Sequence, residues 1–200
     1  MTDILRANRL RSDASSFVIG REIVVLEQTG STNDMVRAMS GGDWPEGLVV
    51  FAEHQTAARG QRGNKWESTA HKGLWFSILL QPHLPIQDSA RLTSWAAKAI
   101  ASTIESHCRL KAWIKEPNDV YIGDRKVAGV LVEMCARAQA AHVAVVGIGL
   151  NVNQTISDFP EELRDRATSL AMLRRGRVDR HQLAVALLEN LDRAYTDLFR

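Results

Sequence analysis

Two apolar segments, Leu48-Val-Val-Phe-Ala-Glu53 and Leu74-Trp-Phe-Ser-Ile-Leu-Leu80, flank a stretch that carries Arg59, Gly60, Gln61, Arg62, Gly63, Asn64, Lys65 and Trp66. Segments of this length and apolarity read as buried strands. The cationic stretch between them belongs at the surface, because burying its charges and backbone groups without partners would cost several kcal/mol each, on the order of ~2–7 kcal/mol even for a neutral polar group. The fold must therefore hold a polar loop on rigid supports at one end of a sheet. Gly60 and Gly63 permit a tight turn and close backbone approach to a ligand, while Arg59, Arg62 and Lys65 supply charge and N–H donors suited to phosphate or carboxylate. Read alone, the same stretch is also a charged surface connection.

Further elements follow from periodicity. Glu22 to Glu27 reads as a strand, and Ser31 or Thr32 as the N-cap of a short helix through Met39 that stops at Gly41-Gly42. Leu92, Trp95, Ala96, Ala99, Ile100, Thr103 and Ile104 recur at helical spacing between Ser89 and Ser106, with Asp88 or Ser89 as cap. Short strands are expected at 112–115, 120–122, 127–134 and 142–150. A final helix over 180–199 carries Ala184, Leu187, Leu188, Leu191, Ala194, Tyr195 and Leu198 on one face. The clustered strands indicate an α+β fold with a mixed, largely antiparallel sheet and helices mainly on one face. Residues 1–20 read as a polar N-terminal arm, and no repeat or linker divides the rest.

Composition narrows the function by exclusion. The 200 residues are 45% apolar and 24% charged, and the net charge of +2 is too mild to argue for a nucleic-acid partner. No apolar run approaches the roughly 20 residues a membrane helix needs, and the N-terminus lacks a signal-peptide core. Cys108 and Cys135 show neither metal nor disulfide spacing, which fits a reducing compartment, and cytoplasm is the expected location. The six histidines have no paired ligand spacing. The basic run from Arg164 to Arg180 reads as a solvated helix and turn.

Three other motifs carry chemistry. Lys115-Glu-Pro-Asn-Asp119 combines a turn with a lysine and with Asn118 and Asp119, whose oxygens suit Mg²⁺ bound to phosphates. Lys126 and Gly129 follow in Arg125-Lys-Val-Ala-Gly129, and a cation there would stabilise charge building on a phosphate. Gly147-Ile-Gly-Leu-Asn-Val-Asn153 is a strand whose glycines allow close approach, ending at Asn151 and Asn153. Ser31-Thr-Asn33 leaves helix N–H groups able to bind an anion or a polar head group, and Gln55 adds a donor and an acceptor. The loop is neither a P-loop, lacking the Gly-Lys-Ser/Thr ending, nor a dinucleotide fingerprint.

Taken in order, these motifs resemble the catalytic core of biotin protein ligases, over roughly Val24 to Leu198. The resemblance implies the synthetase-like core of the biotin/lipoate ligases, akin to class II synthetases, over 21–200. It implies an ATP-dependent, AMP-forming enzyme that makes biotinyl-5′-AMP and transfers biotin to a lysine of a biotin carboxyl carrier protein or domain of a biotin-dependent carboxylase. On this likeness Ser31, Thr32, Asn33, Gln55, Arg59, Gly60, Gln61, Lys126 and Gly129 contact biotin, and Arg62, Lys65, Trp66, Asn118 and Asn151 contact ATP. Lys126, Arg62, Lys115 and Asp119 are the implied catalytic set. Asp119 is also the Mg²⁺ candidate and the candidate to help the acceptor lysine lose its proton.

The chain departs from the family pattern in places. Gln61 and Asn64 stand where arginines are common, which implies looser retention of the adenylate, and Glu116 stands where tryptophan is usual. The resemblance further implies a core without the N-terminal DNA-binding domain and without the small C-terminal β-barrel, so operator binding is not expected. A sheet edge would let two copies pair as a homodimer. Two other readings share the motifs: a lipoate or octanoate ligase of the same superfamily, and a non-catalytic binder of biotin or biotinyl-adenylate.

Overall fold

The computed structural model describes residues 4–42, 44–135 and 142–199. Its centre is a seven-stranded sheet of β1 (Ile23–Thr29), β2 (Val49–Gln55), β3 (Gly73–Leu80), β4 (Trp113–Lys115), β5 (Asp119–Ile122), β6 (Arg125–Cys135) and β7 (Val143–Asn151), in the order β1-β2-β3-β7-β6-β5-β4. Only β1 and β2 run parallel; every other neighbouring pair is antiparallel. A parallel pair needs a crossover. Here it contains α2 (Thr32–Met39), which lies on the sheet face formed by Leu48, Val50, Leu79, Val143 and Val145 through Val36.

The opposite face carries the larger core and three helices, α1 (Ala7–Asp13), α3 (Ala90–Thr103) and α5 (Arg180–Phe199). On α5, Leu183, Ala184, Leu187, Leu188, Leu191 and Tyr195 are buried, the stripe that the 3.6-residue period predicts. With helices on both faces, β3 is buried along its whole length and cannot alternate apolar with polar. A short helix, α4 (Leu170–Arg174), completes the set, and no helix among the described residues is long and apolar enough to cross a membrane.

Two findings differ from the expectations. The lead read as an arm includes α1 and places Leu5, Leu10, Val18 and Ile19 in the core. The N–H groups of Phe17, Val18 and Ile19 donate to the buried Asp192 carboxylate at 2.6–2.8 Å. Four apolar residues dispersed among polar ones leave no periodic signal, which hid this docking. The basic run is likewise not uniformly solvated. Arg180 is fully buried, with guanidinium bonds to Glu53 at 2.6 and 3.1 Å and to the Gly73 carbonyl at 3.0 Å.

Candidate active site

Strands β3, β7 and β6 form a floor, and the first turn of α2 forms a wall beside it. Ser77 is the one hydroxyl in the buried apolar run of β3; it donates to Asn33 Oδ1 at 2.6 Å, and its oxygen lies 2.7 Å from Thr32 Oγ1. Thr32 donates through its N–H and its hydroxyl to Gln55 Oε1, at 2.8 and 3.0 Å. Ser31 occupies the N-cap position without a side-chain capping bond. The motif is thus fastened to β2 and β3 by hydrogen bonds between residues far apart in sequence.

The glycines of β7 make room for this wall and for the loop. A Cβ at position 147 would collide with the Asn33 amide, and one at 149 would stand 2.5 Å from the Trp66 indole. Both strand neighbours of β7 hold its backbone in register, so it cannot retreat. Trp66 in turn packs edge-on against Trp75, with ring centroids 6.1 Å apart.

The basic loop covers this floor. Its base is closed by the Gly60 N–H donating to the Asn64 carbonyl at 2.7 Å and by bridge pairing of Arg59 with Lys65. Its tip turns through left-handed Arg62 and Gly63, with φ of 58° and 77°. The cavity beneath is lined by Ser31, Thr32, Asn33, Gln55, Arg59, Gly60, Gln61, Trp66, Asn118, Lys126 and Gly129, with Gly147 and Gly149 on its floor. All nine residues for which the resemblance implies biotin contact line this one space.

A second cavity adjoins it, lined by Lys65, Trp66, Asp119, Tyr121, Lys126, Asn151, Phe159, Leu163, Arg166 and Ala167. Trp66 and Lys126 line both. The Lys126 ammonium lies 2.6 Å from Asp119 Oδ1 and 5.3 Å from the Trp66 ring centroid. Its backbone is clamped as well: the Lys126 N–H donates to the Arg166 carbonyl at 2.8 Å, and its carbonyl accepts from the Thr168 N–H at 2.9 Å. Asn118 Nδ2 donates to the same Asp119 oxygen at 2.9 Å.

Other residues named from the sequence stand elsewhere. Arg62, at the exposed loop tip, and Lys115, on the exposed edge strand β4, line neither cavity. The Lys115 ammonium lies 5.6 Å from the Tyr121 ring centroid. Asn151 is buried at the rim of the second cavity, but its amide donates to the Thr168 carbonyl and accepts from Gln154, both at 3.0 Å. It therefore holds the 152–169 segment in place. Glu116 is exposed and touches neither cavity.

For a metal, Asp119 is a partial fit. Its Oδ1 is engaged by Lys126 and Asn118, and among the described residues no group of three or more His, Cys, Asp or Glu is placed to hold an ion. Mg²⁺ typically keeps several waters and reaches a protein through one or two carboxylates and a substrate's phosphates, so such an ion would arrive with the nucleotide.

Sequence reading passed over several contributors. Phe159, Leu163 and Arg166 come from a segment of single 3₁₀ turns with no period to detect. Ser77 and Glu133, whose carboxylate accepts from Asn33 Nδ2 at 2.6 Å, left a trace, each a polar residue within a strongly apolar strand.

The domain is of an α+β class whose sheet floors two cavities that share Trp66 and Lys126 beside a glycine-rich basic loop. The chain belongs to the Biotin/lipoate A/B protein ligase family, whose model matches residues 25–151. It is 34% identical over 193 residues to a bifunctional ligase/repressor of Bacillus subtilis, covering 96% of this chain and 59% of that protein. To a biotin–[acetyl-CoA-carboxylase] ligase of Mycobacterium tuberculosis it is 36% identical over 178 residues, 86% of this chain and 63% of the relative. The chain thus spans about three-fifths of these curated relatives. A biotin protein ligase from Aquifex aeolicus, solved in complex with biotin and ATP, superimposes with a TM-score of 0.77 at 29% identity, covering 90% of this chain and 72% of that one.

Proposed function

We propose that this domain activates biotin with ATP to biotinyl-5′-AMP and transfers the biotinyl group to a lysine of a biotin carboxyl carrier domain. The observation that carries the reading is the sharing of Lys126 and Trp66 by the two cavities. A small acid in the first cavity and a nucleotide in the second would meet at the Lys126 ammonium. The Aquifex aeolicus structure, described with biotin and ATP together, supports two ligands on this fold. The name of the Mycobacterium tuberculosis relative supports a carboxylase as the source of the acceptor.

In this reading the biotin carboxylate oxygen attacks the α-phosphorus, the bond to the bridging oxygen breaks, and pyrophosphate leaves. Lys126 offsets the charge that builds on the α-phosphate, and its fixed position keeps the cost of reorganisation low. Asp119 anchors Lys126 at 2.6 Å, a role the geometry favours over that of a free base. Mg²⁺ belongs to the ATP phosphates. The acceptor amine then attacks the mixed anhydride carbonyl, losing a proton as the amide forms, and AMP leaves. The loop over the first cavity excludes water from the anhydride. Cytoplasm, where ATP and carboxylases meet, is the proposed location.

The test is ATP–pyrophosphate exchange with Mg²⁺ and biotin, lipoate, octanoate or no acid. Exchange with biotin alone is expected. Exchange with lipoate or octanoate instead would replace the substrate, and biotin binding without any exchange would reduce the domain to a binder.

A further inference from the structure

Arg59 was assigned above, by resemblance, to ligand contact, yet its guanidinium has protein partners. It donates two parallel hydrogen bonds to Asp34, Nη1 to Oδ2 at 2.8 Å and Nη2 to Oδ1 at 2.7 Å. This is the fork geometry in which an arginine–carboxylate pair is strongest. The same guanidinium stands 4.0 Å from Glu133 on β6. Glu133 also accepts from Arg37 at 2.8 Å and from Asn33 Nδ2 at 2.6 Å, and Asn33 is tied to Ser77 in the buried strand β3. A continuous polar chain therefore runs from the sheet interior through the first turns of α2 to the root of the loop.

We propose that Asp34 and Glu133 form a latch that holds the 59–65 loop over the first cavity through Arg59, and so set how long a ligand stays there. Two carboxylates face two arginines, so the latch brings little net positive charge to the cavity, and Arg59 acts by position. The loop moves with Arg59 because its base is closed at Gly60–Asn64 and at the Arg59–Lys65 bridge. Asp34 is itself held below the usual carboxylate range by its hydrogen bonds from Arg59, so it remains charged at neutral pH. An isolated exposed pair contributes little, but a bidentate pair within a network of four charges is the arrangement in which such contacts matter. Asp34 is a positioning residue in this scheme.

The inference rests on the biotin-ligase reading for the identity of the ligand, but the latch itself is read without one. Limited trypsin digestion of the full chain follows cleavage after Arg62, the exposed loop tip. In Asp34→Asn this cleavage is expected to be about three- to tenfold faster than in wild type, with unchanged melting temperature, since a loop released at its root more often adopts the extended conformation that a protease must bind. Radiolabelled biotin should dissociate about three- to tenfold faster from Asp34→Asn, with a weaker dependence on KCl concentration than wild type, because screening acts on the pair that has been removed. Asp34→Glu, which keeps the charge, should dissociate more slowly than Asp34→Asn. Equal cleavage rates in wild type and Asp34→Asn would overturn the latch. Faster cleavage with unchanged biotin dissociation would overturn its control of residence time. Failure of wild type to bind biotin would sink the proposed function, and the digestion would still decide the latch.

Discussion

Glu53→Gln tests whether the root of the site depends on a buried charge pair. Glu53 ends the buried part of β2, two residues before Gln55, and is 1% exposed. Its carboxylate accepts from Arg180, which is 0% exposed, at 2.6 and 3.1 Å and from the Leu5 N–H at 2.8 Å. Glutamine keeps the shape and can still accept from Leu5, but it removes the carboxylate charge that the Arg180 guanidinium faces at 2.6 and 3.1 Å. Breaking one side of a buried pair costs about 3–5 kcal/mol. For a chain of this size that is about 6–20 °C in Tm, at about 2–4 °C per kcal/mol. Thermal unfolding by circular dichroism measures it, alongside Arg180→Met and the double variant. The double variant should be less destabilised than the sum of the singles by about 1–3 kcal/mol, since the two groups interact directly and removing both leaves no half of the pair behind. A Glu53→Gln protein within about 1 kcal/mol of wild type, or a strictly additive cycle, would refute the argument.

Gly149→Ala sets a methyl group 2.5 Å from the Trp66 indole while relieving the entropic penalty of a strand glycine, about 0.5–1 kcal/mol. Stability should change little, whereas calorimetric biotin affinity should fall about tenfold as Trp66 is displaced from the wall of both cavities; unchanged affinity would show that the indole position is immaterial. Lys126→Ala should abolish biotin-dependent pyrophosphate exchange with an unchanged circular dichroism spectrum, and normal exchange would remove its proposed role. The contribution of Asp34 to holding the loop is present above the ordinary aspartate pKa, about 3.9, because its pKa is lowered in the folded chain. That contribution is lost only as pH falls through the lowered value. Biotin dissociation from wild type should therefore show no Asp34-dependent acceleration between pH 5 and 8, and such an acceleration in wild type but not Asp34→Asn would contradict the assignment.

Much of the site was legible in the chain before any fold. Glycines and Ser-Thr at strand ends and helix starts report local backbone demands, and the resemblance carried by those motifs picked out Ser31–Asn33, Arg59, Gly60, Gln61, Trp66, Lys126, Gly129 and the β7 glycines, which line one cavity. Charge was less legible. Arg59, Arg62, Lys65 and Lys115 are chemically alike in a sequence, but one is paired bidentately, one caps an exposed turn, one pairs with Glu67 and one lies on an outer strand.

By itself the sequence determined the strands and the long helices α3 and α5 with their buried faces, though not α1, because periodicity and turn residues act over a few positions. Tertiary structure alone decided the partners of the charges. Asn33 meets Glu133 from 100 residues away, Arg180 meets Glu53 from 127, and the 166–168 segment clamps Lys126 by backbone bonds. Such pairs depend on strand register and on the crossing of α2 and α5 over the sheet. A one-residue slip in a strand would turn each of its side chains to the other face, and no local spacing encodes that choice.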